Sequence, residues 1–179
     1  TIIDGFVLHQ GHGGSGNNAR GGGIHLVNSS PTVQNCDIAN CFSTYGGAVR
    51  AQNSNATFDN CEISENSAFA GAGLYLDDFN GSINDCTIED NQAGGRGGGL
   101  AFIGSSNGSM TCCAITNNTA TNWNAQGGGI FVASADPAIH NCAISSNSVG
   151  SENAENSEGK GGGLFIDTLS SAMLVSCVI

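Results

Sequence analysis

The chain has 179 residues, of which 39% are hydrophobic and 11% charged, a length and balance that suit one globular domain. Fifteen acidic against four basic residues leave a formal net charge of -11, which repels phosphate backbones and anionic lipid surfaces and argues against nucleic acid as a partner. No apolar run approaches the roughly 20 residues that span a bilayer, so membrane insertion by this segment is not expected.

The chain opens at Thr1 on the strand-like TIIDGFVL and stops at Ile179 inside a repeat. Both ends look cut, so residues 1–179 are read as a single β-helix domain that forms a segment of a longer protein. From Gly21 to Ile38 runs GGGIHLVNSSPTVQNCDI, and the chain then writes it again as GGAVRAQNSNATFDNCEI from Gly46 and GAGLYLDDFNGSINDCTI from Gly71, with further variants from Gly97, Gly127 and Gly161. Self-similarity at a period of roughly 20–50 residues is the mark of stacked repeats.

Aligning the cysteines places Phe6, Cys36, Cys61, Cys86, Cys113, Cys142 and Cys177 in one column. Two residues on, every position is leucine or isoleucine, from Leu8 and Ile38 to Ile179; three residues before the column, Ile3, Val33, Phe58, Ile83, Met110, Ile139 and Leu174 are all apolar. Period-two alternation puts the column and the position two after it on one strand face. After each glycine block, pairs such as Ile24/Leu26, Leu74/Leu76 and Leu100/Phe102 alternate with His25, Tyr75 and Ala101, which predicts a second strand. Short strands without helical periodicity predict an all-β fold: a right-handed parallel β-helix, a solenoid of about six to seven coils, each of 25 to 35 residues, rising roughly 4.8 Å per coil.

In such a stack equivalent side chains lie one above the next. The column cysteines are therefore expected as a core ladder of reduced thiols, because their parallel Cβ vectors suit a thiol stack better than the S–S torsion near 90°. Cys41 and Cys112 lie off the column, about three coils apart and too far to bridge each other. No CxxC pair occurs, so no metal site is expected, and no cofactor, with calcium the one ion an acidic face could take. Asn66, Asn91, Asn118 and Asn147 fall five after the column and predict an amide ladder at a bend, where asparagine tolerates left-handed backbone.

Variation in length is confined. From the third residue of each glycine block to the column the spacing is 13 or 14, whereas from the column to the next block it grows as 12, 12, 13, 16 and 21. All sizeable insertion thus falls at one edge, and such an edge is often the binding face of a repeat protein. Tyr45, Phe69 and Trp123 sit in these edge loops and are candidate platforms for sugar rings. Three residues before the block position come Arg20, Tyr45, Ala70, Arg96, Gln126 and Lys160, so three of the four basic residues share one column, and Arg96 is a candidate for holding a carboxylated ligand. At the opposite bend Asn28, Asn55, Asn80 and Asn107 head glycosylation sequons, one per coil, with Asn117 a fifth. Asparagine, glycine and serine are also ordinary turn residues, which explains such sequons equally well.

Catalytic chemistry has one candidate. Asp37, Glu62, Glu65, Glu89 and Asp90 gather on the outward side of three neighbouring coils, and Asp37, Glu62 and Glu89 are the residues a polysaccharide lyase or glycoside hydrolase would use there. No basic residue accompanies them, and acidic side chains on a solvated face are the commoner reason for such a group. His9 and His12 in HQGH sit among glycines that give no rigid support for a metal. The hydroxyl column Thr32, Thr57, Ser82 and Ser109 ends after four coils and has charged neighbours, which suits ice poorly.

The GGAV at Gly46–Val49, the related GGGI and GGGL blocks, and the ISEN, IEDN, ITNN and ISSN stretches resemble the paired GGA[ILV] and FxxN repeats of polymorphic outer membrane protein passenger domains, and the wider right-handed parallel β-helix proteins of pectin-lyase-like fold. Isoleucine stands where those repeats have phenylalanine, and Cys41 replaces the first asparagine. The resemblance implies an extracellular or cell-surface location and a role in adhesion or as a rigid spacer, with glycans or surface proteins as partners. The function expected is therefore a non-catalytic structural and adhesion β-helix, with end-to-end stacking into a homo-oligomer or fibre open to it through its coil ends. A carbohydrate-active β-helix enzyme is the alternative.

Overall fold

The computed structural model describes residues 1–16, 19–150 and 159–179. Among them every paired strand is parallel and no helix occurs. The chain winds through four sides. A seven-stranded sheet on the first side runs from Ile2–Asp4 through Thr57–Asp59 and Ser109–Thr111 to Met173–Val175. The second side is six-stranded, from Val7–His9 through Glu62–Ser64 to Ala143–Ser145. The third has four strands, Ser67–Ala70, Gln92–Arg96, Thr119–Ala120 and Ser148–Val149, and the fourth has six, from Ile24–Val27 to Leu164–Ile166. This is the parallel β-solenoid that the repeats predict. The six to seven coils read from the repeats overcount somewhat: among the described residues the first two coils show no strand on the third side and the last contributes a single strand, leaving about five turns.

Register explains the repeat. Thr32 pairs with Thr57, Thr57 with Ser82 and Ser82 with Ser109, so the same position recurs above itself on each rung. Between sides the chain turns through left-handed residues. Asn35, Asn60, Asp85, Asn141 and Ser176 make one corner with φ between 49° and 55°, and Asn40, Glu65, Asp90, Asn117 and Ser146 the next with φ between 54° and 56°. Asn28, Asn53, Asp78 and Ser134 turn the third. The first glycine of most blocks turns the fourth: Gly71 has φ +57°, and a Cβ there would stand 2.5 Å from the Leu74 carbonyl oxygen. Short polar side chains and glycine are the residues that reach this region at low cost, which accounts for the composition. Cys112, at φ 55°, occupies the first kind of corner and is exposed, so its place off the column follows from its taking an asparagine position.

The core is a stack of apolar ladders. Val33, Phe58, Ile83, Met110 and Ile139 line the first side, Ile38, Ile63, Ile88, Ile115 and Ile144 the second, and Leu74, Leu100 and Ile130 the fourth, all at 0 or 1% exposure. Each such burial contributes about 1.5–3 kcal/mol relative to an exposed side chain. Cys36, Cys61, Cys86, Cys113 and Cys142 form the expected ladder at 3% exposure or less, and all eight cysteines are free thiols. Their backbone partners repeat too, with the Cys61 and Cys113 amides each donating to the sulfur of the next rung at 3.4 Å. Phe6 departs from the column's inward rule at 56% exposure, and Cys177 is only half-buried, because each lies on a rung covered from one side alone.

The asparagine ladder is present, with one correction. Asn66, Asn91 and Asn118 are at most 1% exposed and none is left-handed; the left-handed residue is the one before each of them. Their role is hydrogen bonding. The Asn91 amide nitrogen donates to Ile63 O at 2.9 Å and to Asn118 Oδ1 at 3.0 Å, while Asn91 Oδ1 accepts from the Asn66 backbone and side chain at 3.0 Å. Cys41 stands at the first position of this ladder, and its backbone amide donates to Asn66 Oδ1 at 2.9 Å.

Two expectations follow from this interior. Replacing Asn91 by alanine strands several buried polar groups at about 1–3 kcal/mol each, so Asn91→Ala should cost roughly 3 kcal/mol or more in urea unfolding. The half-buried Asn147→Ala should cost clearly less, and equal losses would show that the ladder is not a buried network. Under native conditions Cys112 should react rapidly with a disulfide reagent, and Cys112→Ser should abolish that phase, while the half-buried Cys177 reacts more slowly and the buried Cys36, Cys61, Cys86, Cys113 and Cys142 react only on unfolding.

Candidate functional site

The lengthened connections leave the second side and return to the fourth, so the edge they build runs along the third side and its corner with the fourth. Here one extra residue matters. Ala93 pairs with Ala68 but Arg96 pairs with Ala70, so Gly94 and Gly95 form a bulge. This is the 13th residue in a spacing that is 12 in the two preceding coils. A bulge bends its strand and re-aims the following side chain, and the Phe69 ring fills the space a side chain would need, lying 3.0 Å from where a Gly95 Cβ would sit.

Over the corner lies a recess of about 180 Å³ in which Tyr45, Phe69 and Arg96 meet Tyr75, Ala101 and Phe131. Three of the four ligand-contact residues named from the sequence therefore come together. Trp123 does not join them. It is 64% exposed at the tip of a turn closed by the Ala125 amide donating to Asn122 O at 3.0 Å.

Tyr75, Ala101 and Phe131 come from the outward row of the fourth side, where parallel register aligns His25, Arg50, Tyr75, Ala101, Phe131 and Phe165. Their alternation with the core residues marks them as outward in the sequence. What the sequence does not disclose is that the neighbouring column folds over them. Phe131, on the outer face, is only 2% exposed.

Rings hold the cations. The Arg50 guanidinium carbon lies 5.6 Å from the Tyr45 ring centre and 5.8 Å from that of Tyr75, and Arg96 stands 5.3 Å from the Phe131 ring. The two tyrosine rings are 5.0 Å apart, and Phe131 and Phe165 stack in parallel at 5.6 Å. Arg50 also donates to Ala19 O at 2.5 Å, while its Nε is buried without a partner. Among the described residues no arginine or lysine forms an ion pair; a histidine, His9, approaches a carboxylate, Asp37, with Nε2 3.6 Å from Oδ2. Burial, then the charges of Arg50 and Arg20, push His25 below the ordinary imidazole value, and burial, followed by Asp77, pushes Tyr75 up to about 12. Burial likewise raises Asp77, with Asp78 adding to it and Arg50 opposing it.

The acidic residues lie elsewhere. Asp37 pairs in register with Glu62, and both line a groove of about 330 Å³ at the corner between the first and second sides. Glu89 lies outside that groove, in the next outward row, opposite Ser64 and Thr116. Among the described residues no group of histidine, cysteine or acidic side chains is arranged to hold a metal ion, and His12 packs on Phe42 at 5.1 Å rather than facing His9's partner. All five sequon asparagines are exposed. Asn55, Asn80 and Asn107 stand in one row, with the Asn107 amide donating to Asn80 Oδ1 at 3.2 Å. Asn28 does not join that row: it and Asn117 are left-handed corner residues.

The lowered pKa of His25 carries a sign. Its ordinary value is 6.5; the unfolded chain takes up the proton there while the folded chain resists it, so His25 favours the fold above that pH and this contribution is lost as pH falls through the folded value. Thermal midpoints measured from pH 7 down to 5 should fall more steeply for the native chain than for His25→Gln, and parallel curves would refute the assignment.

The model of the right handed beta helix region matches residues 22–179. No curated protein and no solved structure matches the chain. With the match covering most of its length and four parallel sheets winding in register, the chain belongs to the right-handed β-helix family.

Proposed function

We propose that this segment is a non-catalytic structural and adhesion module of the extracellular or cell-surface environment, whose long-loop edge makes contact with glycans or surface proteins. The observation that carries the reading is the recess where Tyr45, Phe69 and Arg96 gather over an outward aromatic row. Tyrosine and arginine in a partly desolvated pocket are the residue types that dominate contact energy, and an aromatic face also suits the apolar face of a sugar ring. A rigid stack displaying variable loops along one margin is how repeat proteins present contact surfaces. The acidic groove supports catalysis less well, because it holds Asp37 and Glu62 without Glu89 and without a cation.

The test is an array of glycans and cell-surface proteins probed with the native chain and with Tyr45→Ala, Gly95→Val, Trp123→Ala and Glu62→Ala. Loss of about 10-fold or more in affinity is expected for Tyr45→Ala, a comparable loss for Gly95→Val through displacement of the Phe69 ring, and little change for Glu62→Ala. Turnover of a polysaccharide that disappears in Glu62→Ala and Glu89→Ala would overturn the reading in favour of an enzyme. Absence of any ligand sensitive to Tyr45→Ala would overturn it as well.

A further inference from the structure

The buried cysteines are a set of reactive side chains that a contact edge leaves unused, and they share one geometry. Each sulfur donates to the carbonyl two residues before it: Cys36 to Gln34 O and Cys86 to Asn84 O at 3.1 Å, Cys61 to Asp59 O at 3.4 Å, Cys113 to Thr111 O and Cys142 to His140 O at 3.3 Å. All five therefore occupy the same place on their rungs. The flanking strands keep those rungs in register, since Asp59 pairs with Asn84 and Asn84 with Thr111 before the column, and Glu62 with Thr87 and Thr87 with Ala114 after it. Equal placement on registered rungs sets neighbouring sulfurs apart by the strand spacing, about 4.8 Å. The row is continuous: the Cys86 thiol faces those of Cys61 and Cys113, and Cys113 faces Cys142.

That interval suits neither of the usual fates of paired cysteines. A disulfide needs Cβ atoms about 3.8 Å apart, whereas stacked rungs hold them about 4.8 Å apart. A tetrahedral zinc site needs donors converging on one point from four directions, and among the described residues no group of three or more metal-binding side chains converges. A two-coordinate ion asks for less. It takes two sulfurs in line, separated by twice a metal–thiolate bond of roughly 2.3 Å, a span of about 4.6 Å, which the ladder supplies with almost no movement of the backbone. Soft thiolate ligands in a dry site select copper(I) among the first-row metals, and these sulfurs belong to residues at most 3% exposed.

Charge and bonding at sulfur choose the gaps. When a monovalent ion binds, both thiols release their protons and two sulfur–metal bonds form, leaving one negative charge per ion in the interior. A buried charge needs hydrogen-bond donors. The Cys61 amide donates to Cys86 Sγ and the Cys113 amide to Cys142 Sγ, each at 3.4 Å. A sulfur shared by two ions is bent, and a straight row has no room for the bend, so ions occupy alternate gaps.

We propose that the cysteine ladder is a binding site for soft monovalent metal ions of the copper(I) type, one held linearly between Cys61 and Cys86 and one between Cys113 and Cys142. The site lies on the inner face of the coils and is independent of what the edge contacts. Because the row is closed to solvent, the ions enter while the coils are still open, and loading belongs to folding. An ion clasped between two rungs ties them together, and it stabilises the fold to the extent that the ordered ladder binds it more tightly than the loose thiols of the unfolded chain do.

The experiment refolds the full 179-residue chain, and the same chain with Cys112→Ser, from urea without oxygen in the presence of copper(I) supplied as its bicinchoninate complex. Retained metal is counted by native mass spectrometry after the chelator is removed. The Cys112→Ser chain should keep one ion per pair, its X-ray absorption should show two sulfur neighbours and no nitrogen or oxygen, and its thermal midpoint should lie above that of the metal-free chain. Zinc(II) offered in the same way should not be retained. Cys86→Ala should keep half of the copper, Cys86→Ala with Cys142→Ala none, and Cys36→Ala all of it. The absorption spectrum and the midpoint are read on chains that keep every ladder thiol, so they decide even where an alanine variant does not fold. Copper that disappears with Cys112→Ser, three-sulfur or oxygen coordination, an unchanged midpoint, or full retention by the double alanine variant would each overturn the proposal. A chain that gains no metal and is lighter by two hydrogens per pair would show disulfides in place of the ions and end it as well.

Discussion

Parallel register, held from rung to rung without a slip in the first, second and fourth sheets, is the constraint from which the remaining features derive. A one-residue shift would turn every core side chain outward, and the interior contains devices that resist it. The asparagine ladder is the strongest. Each amide both donates to a carbonyl of the rung before it and accepts from its neighbour's backbone, so a slipped rung would leave buried donors and acceptors unpaired over several coils. The thiol ladder adds a second, weaker record of the same register, through the Cys61 and Cys113 amides that donate to the sulfur one rung on.

The corners set the composition that the register then repeats. A four-sided coil needs a left-handed residue at each turn, and asparagine, aspartate, serine and glycine meet that need in most coils. The same requirement bears on the sequons. Asn28 and Asn117 are explained by backbone conformation alone, with φ of 49° and 55°. Asn55, Asn80 and Asn107 are not left-handed and stand in one exposed row, so the corner rule does not account for them.

Much of this was legible in the sequence for a physical reason: in a stack, a position's environment is the same on every rung, so one aligned column reports burial directly. The inward ladders, the reduced cysteines and the single edge of insertion all follow from that alignment. Phe6 misled because alignment says nothing about whether a rung is covered on both sides. The ladder asparagines were located correctly but explained by the wrong residue's backbone, since identity at a bend does not reveal which of two neighbours turns it. The recess was half legible. Tyr45, Phe69 and Arg96 were visible as edge residues, whereas Tyr75, Phe131 and Arg50 belong to a strand's outer face, and their meeting with the edge depends on a fold over the corner that no linear spacing encodes. The bulge at Gly94 and Gly95 left one trace, a single added residue, too small to separate from ordinary loop variation.

Rigidity and variability are divided between the two halves of each coil, and this division is what makes a margin rather than a scattered surface. Thirteen or fourteen residues from glycine block to cysteine carry the tight turns and the ladders, and admit almost no change in length. The remaining half absorbs additions from one residue to nine without disturbing the next rung, because the glycine block restarts the register each time. Aromatic and cationic side chains added there are stacked by the frame at a fixed rise, so a change in a single coil alters one step of a row. A contact surface built this way is tuned rung by rung, and its reach is set by how many coils carry the residues, which ties the size of any ligand to the length of the stack.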